Sequence, residues 1–367
     1  CVLQVLEPIC EAKFHERSNG FRPYRSAQNA IAQCYKMIQL QNLHYVVDVD
    51  IKGFFDNINH AKLIRQIWAM GIQDLKVLAI IKAMLKADIL FNDIVTSPET
   101  GTPQGGILSP LLSNIVLNEL DWWVASQWEM MPTRVDREYS KTDKKGNVVI
   151  DRSQKWTMLR EKSELKEIYI VRYADDFKIF CRDYHTAKKT YTAVVKWLKE
   201  RLSLDISEEK SGITNLKKIY MEFLGLKIRA VPKGKKFAVK SHMTNKAKNR
   251  AKKKVAESTK RILNHNDQKS LDKNISLHNS LICGLHNYYK MATHVSADFA
   301  EIGYPIQKML SGANHNSRQC SVEKSGEIRS RFIADNYGKS KQMRWIHDRP
   351  IIPVAYGRNL SYKIKLQ

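Results

Sequence analysis

Tyr173-Ala174-Asp175-Asp176 sets two carboxylates side by side between two apolar runs, Ile168-Tyr169-Ile170-Val171 and Phe177-Lys178-Ile179-Phe180. Read as short strands at about 167–174 and 176–182, the runs form a hairpin with the acids at its tip. Adjacent carboxylates repel each other, and a divalent cation with hard oxygen ligands offsets that repulsion. A solvated Asp-Asp turn is the competing reading, and four residues do not separate the two. Asp50 weighs toward chemistry. It closes a β-rich run at 44–51 and is followed by Phe54, Phe55 and Asp56. A strand ending there can bring a third carboxylate beside the tip. A two-metal phosphoryl-transfer centre needs such a set: one cation lowers the pKa of an attacking hydroxyl, and the other steadies the leaving pyrophosphate. Asp48 lies on the same strand face two residues earlier and competes for the ligand role; its other reading is a strand residue further from the tip.

The elements that must position these acids follow from apolar spacing. Helices are expected at 61–70 and at 75–87, the second behind Asp74 as N-cap. A Gly/Pro loop at 100–106 leads into a helix opened by Ser109-Pro110, with Ser as N-cap and Pro in the first helical position. Residues 131–166 are polar, carry a Lys-Lys-Gly-Asn turn at 144–147, and read as a surface insertion. A helix at 186–202 and a strand pair near 219–240 follow. Strand, helices, strand, strand, helix, strand is the order of a split βαβ (ferredoxin-like) sheet with insertions. Residues 233–261 then hold 12 Lys/Arg and one acid, Glu257. The helical part of that segment, 246–261, and amphipathic segments at 271–289 and about 297–310 make a separate all-α module. The tail, 316–367, is basic, has no clear period, and reads as an appendage. No internal repeat is present.

Composition bounds the partners. The chain has 367 residues, with 61 Lys+Arg against 37 Asp+Glu and a net charge of +24. That length fits two or three domains, and 43% hydrophobic residues exclude a mostly disordered chain. No window reaches the ~18 uncharged apolar residues of a membrane span, and no signal peptide opens the chain. Six scattered cysteines without CxxC argue against a disulfide scaffold or zinc module and fit a reducing compartment. The charge calls for a polyanion, nucleic acid before an acidic membrane surface. No long amphipathic Trp/Phe/Leu–Lys helix supports the membrane alternative. A first residue other than Met implies residues upstream.

At this point several blocks carry a resemblance. Tyr-Ala-Asp-Asp, the Asp50 block DIKGFFDNINH and the block GTPQGGILSPLLSNIVLNELD resemble a reverse transcriptase, in the form of the group II intron-encoded maturases. SNGFRPYRSAQNAI at 18–31, LSLDISEEKSGIT at 202–214, FLGLKI at 223–228 and GLHNYYKMA at 284–292 resemble further blocks of that family in the same order. The resemblance runs over about 1–312. It implies an α+β polymerase right hand, with partial fingers and a ferredoxin-like palm at 1–228. An α-helical thumb (maturase domain X) follows at 229–315, then a basic tail at 316–367 that resembles a DNA-binding region only loosely. The family's N-terminal extension precedes the start of this chain, and no Cys/His cluster of the nuclease domain found in some relatives follows.

The resemblance also implies roles. Asp50, Asp175 and Asp176 would hold two Mg²⁺, with Mn²⁺ as a substitute, and the Ile51 carbonyl would add a backbone ligand. Phe55 would be the aromatic gate that leaves no room for a 2′-OH, or else a core Phe, as Phe54 is expected to be. Gln104 would pack against incoming nucleotide and template. Gly101, Gly105 and Gly106 would allow close backbone approach. Arg22 would hold phosphate, or else be a surface Arg. Lys210 would be an acid near the pyrophosphate. Lys246, Arg250, Lys253, Lys254 and Arg261 would face nucleic acid, the alternative being a solvated face. Tyr288 and Tyr289 would stack on bases or, for one of them, pack inside the helical module. The implied activity is RNA-directed DNA synthesis plus intron splicing assistance. Its partners are group II intron RNA, an RNA template with DNA primer, target DNA and dNTPs, in a bacterial cytoplasm or an organellar matrix. Two alternatives remain: a non-enzymatic RNA-binding maturase, and a reverse transcriptase of a bacterial defence or diversity-generating lineage.

Overall fold

Two compact units divide the chain, Cys1–Ile219 and the residues from Tyr220 onward, in a computed structural model that describes residues 1–91, 94–96, 98–103, 105–135, 137–143, 146–316 and 322–355. In the first unit the elements run α1 (Val2–Glu11), α2 (Ala27–Gln39), β1 (Tyr45–Val49), a 3₁₀ turn (Phe54–Asp56), α3 (His60–Ala69), α4 (Leu75–Leu85), β2 (Ile89–Phe91), β3 (Ile94–Thr96) and α5 (Ser109–Ser126). They continue with β4 (Tyr139–Thr142), β5 (Val148–Asp151), α6 (Ser153–Lys162), β6 (Ile168–Tyr173), β7 (Asp176–Cys181), α7 (Tyr184–Trp197), a π turn (Leu198–Leu202), a 3₁₀ turn (Glu208–Lys210) and β8 (Gly212–Asn215). The central sheet has the order β6-β7-β1-β8 with antiparallel pairing throughout. Val46, Val47, Val49, Ile170, Phe177, Ile179 and Phe180 are buried on it. Covering helices leave few strand positions open to water, so the strands read as near-continuous apolar runs.

Two charged pins interrupt that core. Arg172, near the end of β6, is fully buried, and so is its partner Asp121 on α5. Lys178, in mid-β7, is 5% exposed and lies between two carboxylates. Local signals fix the helix starts. Asp74 accepts from the Lys76 and Val77 amides as the N-cap of α4. α5 departs by one residue from the sequence expectation. Its cap is Leu108, and Ser109 lies inside the helix, donating its hydroxyl to the Pro103 carbonyl. β4, β5 and α6 stand outside the central sheet, with β4 and most of β5 exposed; Trp156 of α6 stacks on Trp128, centroids 5.9 Å apart. Lys144 and Lys145 of the expected turn lie outside the described residues.

The second unit contains β9 (Met221–Phe223), β10 (Leu226–Lys233), β11 (Lys236–Met243), α8 (Asn245–Leu263), α9 (Gln268–Tyr289), α10 (Val295–Asn316), α11 (Arg331–Tyr337), β12 (Arg344–Ile346) and β13 (Arg349–Ile351); the strand pair expected near 219–240 lies here as the β11-β10-β9 sheet, so the module is mixed rather than all-α. Ala251, Val255, Thr259 and Ile262 make the buried stripe of α8. Leu271, Ile275, His278, Ile282 and His286 make that of α9. Asp298 of α10 ties the helices to the sheet by accepting from the Met243 amide at 2.8 Å.

The expected appendage is corrected: residues 322–355 fold onto α9. Asn279 donates to the Pro350 carbonyl and accepts from the Ile352 amide. His286 contacts the Tyr337 hydroxyl at 3.1 Å and the Val354 carbonyl at 2.9 Å. The tail's buried apolar residues (Val322, Tyr337, Met343, Trp345, Ile346, Ile351, Ile352, Val354) come from short pieces, so no period announces them. Residues 317–321 and 356–367 of that tail lie outside the described residues. Cys1, Cys10, Cys34, Cys181 and Cys283 are free thiols. Among the described residues no helix is long and apolar enough to cross a membrane.

Burial pushes the pKa of both His278 and His286 down to about 4, and for His286 the Val354 carbonyl opposes the shift. Both are neutral in the fold and protonate near 6.5 when unfolded. Stability is therefore whole above about 6.5 and falls as pH drops toward 4, by up to roughly 3 kcal/mol for each histidine. Hydrogen exchange of α9 amides at pH 7 and pH 4.5, corrected for intrinsic rates, checks this; equal protection at both would show that the histidines are not held neutral.

Candidate active site

The register of the sheet sets the acids. Val49 pairs with Phe177, so one step further Asp50 falls level with Asp176. Tyr173 pairs with Asp176, which leaves Ala174 and Asp175 as a two-residue turn. Ala174 has φ +58, a left-handed conformation that costs a non-glycine residue roughly 1–2 kcal/mol. Asp50 is held by its backbone: its carbonyl accepts from the Ser207 amide at 2.8 Å and its N–H donates to the Ser211 hydroxyl at 3.0 Å.

These carboxylates feel one another. Burial raises the pKa of Asp175, and the charges of Asp176 and Asp50 add to it. Asp48 is raised by burial too, with Lys178 opposing and Asp176 and Asp50 adding. Lys178 answers part of this charge. Its Nζ is 2.6 Å from Asp48 Oδ1 and 2.8 Å from Asp176 Oδ1. Burial alone would lower its pKa, but the two carboxylates overcome that and raise it. Asp48, the competing ligand, thus shares this lysine with Asp176. Lys210 Nζ lies 3.8 Å from Asp50 Oδ2. Among the described residues no group of three or more His, Cys, Asp or Glu is closed around a metal position. The donor chemistry nevertheless suits a hard divalent cation: Asp50, Asp175 and Asp176 are coupled oxygen donors at one sheet end, and lysines offset only part of their charge.

The turn after Asp50 and residues 100–102 form one backbone assembly. The Gly101 amide donates to the Ile58 carbonyl at 2.8 Å, the Thr102 amide to the Phe55 carbonyl at 2.7 Å, and the Thr100 hydroxyl to the Asp56 carbonyl at 3.0 Å. His60 Nε2 sits 2.7 Å from the Gly101 carbonyl. Phe54 is core and Phe55 is half-buried against it, ring centroids 5.3 Å apart. Ile51 is buried and forms an isolated bridge with Ile206, flanked by bonds from Lys52 and Ser207 that leave its own carbonyl outside the pairing. Gln104 lies outside the described residues.

Other candidates are placed elsewhere. Arg22 is corrected from phosphate contact to internal lock. Its guanidinium is 6% exposed, pairs with Glu11, and donates to the His15 and Ser18 carbonyls at 2.8 Å. In the second unit, Lys246, Arg250, Lys253, Lys254 and Arg261 are all placed on α8 and reach its solvent side. Tyr288 donates its hydroxyl to the Leu224 carbonyl at 3.2 Å, and Tyr289 lies over Gly225, so both brace the turn between β9 and β10. Sequence reasoning missed Lys178 and Arg172. The available signal was a basic residue inside each of the apolar runs that flank the acids.

Gly101 has φ +90, and a Cβ there would stand 2.9 Å from the Phe55 and Asp56 carbonyl oxygens. Gly101→Ala should destabilise the first unit by roughly 1–3 kcal/mol and release the loop. Urea unfolding and exchange of the Thr102 amide measure both effects; an unchanged midpoint with Thr102 still protected would count against the docking.

Residues 1–228 match the family model described as reverse transcriptase (RNA-dependent DNA polymerase). The chain is 35% identical over 258 residues to the group II intron-encoded protein LtrA of Lactococcus lactis subsp. cremoris, covering 61% of this chain and 41% of that protein. It is 28% identical over 341 residues to an uncharacterized 91 kDa protein in the cob intron of Schizosaccharomyces pombe, covering 83% of this chain and 41% of that protein. It therefore spans about two fifths of the length of these curated relatives. The structure of apo telomerase from Candida tropicalis aligns with a TM-score of 0.47 at 13% identity, over 85% of this chain and 53% of that one. The family match takes in the strand-end Asp50, the hairpin acids and the docked loop together, and on that match the chain belongs to the reverse transcriptase (RNA-dependent DNA polymerase) family, related to group II intron-encoded proteins.

Proposed function

We propose that this chain carries the polymerase centre of a group II intron reverse transcriptase that also serves as a maturase. The observation that carries the reading is the register that sets Asp50 level with Asp176, with Asp175 at the adjoining tip. In this reading residues 1–228 are partial fingers and a ferredoxin-like palm; the β6-β7-β1-β8 sheet supports it, with β8 as the fourth strand in place of the pair expected near 219–240. Residues 229–315 are the thumb, or domain X, and 316–367 belong to a DNA-binding region.

Asp50, Asp175 and Asp176 would hold two Mg²⁺, or Mn²⁺ in their place, with the Ile51 carbonyl as a further ligand. The chemistry supplied at that site would be a lowered pKa for the primer 3′-hydroxyl and neutralised charge on the triphosphate. Lys178 fixes Asp176 from behind. Phe55 lies under the sugar and excludes a 2′-OH, and Gln104 packs against the base pair being formed. Lys210 gives a proton to the departing pyrophosphate. Lys246, Arg250, Lys253, Lys254 and Arg261 meet the phosphates of the template–primer duplex and the intron RNA. Tyr288 and Tyr289 brace the β9–β10 turn and offer rings on which bases stack. Target DNA and dNTPs complete the partners, in a bacterial cytoplasm or an organellar matrix.

Primer extension on an RNA template with dNTPs and Mg²⁺ tests the centre. Asp175→Ala with Asp176→Ala should lower extension by on the order of 10³-fold or more, with duplex binding retained. Extension equal to the parent would reject the carboxylate assignment. No extension by either protein, with tight intron-RNA binding, would favour the maturase that only binds RNA. Changing Lys246, Arg250, Lys253, Lys254 and Arg261 to Gln should weaken RNA binding and flatten its log–log salt dependence by about 0.7–0.9 for each phosphate no longer neutralised. Filter binding across a KCl series reads that slope, and an unchanged slope would make α8 a solvated face.

A further inference from the structure

Something must hold Ala174 in its left-handed conformation, because the direction of Asp175 and Asp176 depends on it. Arg172 is two residues away on β6 and completely buried. Its Nε and Nη2 grip Asp121, with Nη2 2.6 Å from Oδ2. The remaining nitrogen, Nη1, donates to Asn114 Oδ1 at 2.9 Å and to the Ala174 carbonyl at 2.8 Å. Asn114 and Asp121 are seven residues apart on α5, so one helix face carries both anchors. Asn114 also reaches the other way: its Nδ2 donates to the Gly20 carbonyl at 2.8 Å. The segment before Gly20 runs along β6, with the Arg172 amide donating to the Arg17 carbonyl at 3.0 Å and the Asn19 amide to the Arg172 carbonyl at 2.9 Å. This brings Gly20 so close to the tip that a Cβ there would stand 2.2 Å from the Ala174 nitrogen. Ala174 is thus clamped by a guanidinium on its carbonyl and by a glycine backbone on its nitrogen.

We propose that Arg172 is a positioning residue for the candidate metal-binding acids: anchored on Asp121 and Asn114, it sets the hairpin tip through the Ala174 carbonyl. The inference rests on the reading of Asp175 and Asp176 as a nucleotidyl-transfer centre. Stability alone does not account for such a pair, since well-packed apolar residues of similar volume often replace a buried ion pair without loss. What they cannot replace is the donor to Ala174. A tip shifted by about 1 Å is expected to slow chemistry on the order of 10²-fold while leaving nucleic-acid binding intact.

The test uses the full chain. Arg172→Met with Asp121→Leu removes the charges together and keeps the volume. Asn114→Ala leaves the ion pair and takes away the second anchor. Three readouts are needed: the unfolding midpoint, kcat and KM for primer extension, and hydrogen exchange across 173–177. The expected result for the double variant is a near-parental midpoint, kcat down about 10²-fold, KM for template–primer unchanged, and lost protection at the tip with mid-strand amides of β6 and β7 still protected. Asn114→Ala should move kcat and tip exchange in the same direction by about tenfold. If the double variant does not fold, Asn114→Ala decides alone. Parental kcat and parental tip exchange in a folded variant would overturn the proposal and leave Arg172 a packing residue. If the parent extends no primer, the catalytic reading fails, while tip exchange still decides whether Arg172 sets the hairpin.

Discussion

Negative charge gathered at one end of a four-stranded sheet is the constraint around which the first unit is built. Asp48, Asp50, Asp175 and Asp176 lie within electrostatic reach of one another, and burial and mutual charge raise the pKa of Asp175 and Asp48. Carboxylates so arranged would be pushed apart or protonated unless cations sit among them. The chain supplies two from inside the sheet, Lys178 between Asp48 and Asp176 and Arg172 behind the tip, and a third, Lys210, from the strap that holds Asp50. Lys178 and Lys210 pair directly with acids of the cluster, whereas Arg172 pairs with Asp121 and reaches the tip through the Ala174 carbonyl. The positions of the acids therefore depend on β1, β7, α5 and the 205–211 segment at once.

The same logic explains why the surroundings are so fully bonded. A charged group taken into a core is tolerated only where its donors are satisfied, and Arg172 spends every nitrogen on protein acceptors. Arg22 does likewise beside α1 and locks the residues 15–18 that lead to the β6-flanking segment. The second unit solves a different problem. Its basic helix α8 buries a thin stripe of Ala251, Val255, Thr259 and Ile262 and leaves its cations in water, while α9 buries two neutral histidines, one of which receives the folded tail.

Much of this was legible in the residues. The strands β1, β6 and β7, the hairpin with its two acids, the Asp74 cap and the apolar spacing of α9 follow from apolar runs, helical period and capping chemistry; the fourth strand of the sheet does not, since it is β8 and not the expected pair near 219–240, which forms the separate β11-β10-β9 sheet. What escaped was whatever looks the same buried or exposed. Arg172 and Lys178 sit in apolar strands where a lone charge reads as the outward member of an alternating pattern, yet both faces of this sheet are covered. Arg22 in a Gly-Phe-Arg-Pro loop carries no mark of its three internal partners. The tail gave no period because its core contribution comes from single residues of short segments. Which lysine answers which carboxylate is a matter of register, and register is written in the pairing of strands more than a hundred residues apart.

Residues 100–102 are fastened to main-chain carbonyls of Phe55, Asp56 and Ile58, and none of those bonds depends on which side chain position 55 bears. In the proposed reading, the wall of the nucleotide pocket and the ring at its floor are therefore separable in evolution. A lineage can exchange the ring, and with it the kind of sugar admitted, while the scaffold around it stays docked. Sugar preference in this architecture is an adjustable fitting on a fixed frame, open to drift by single substitutions that leave folding untouched.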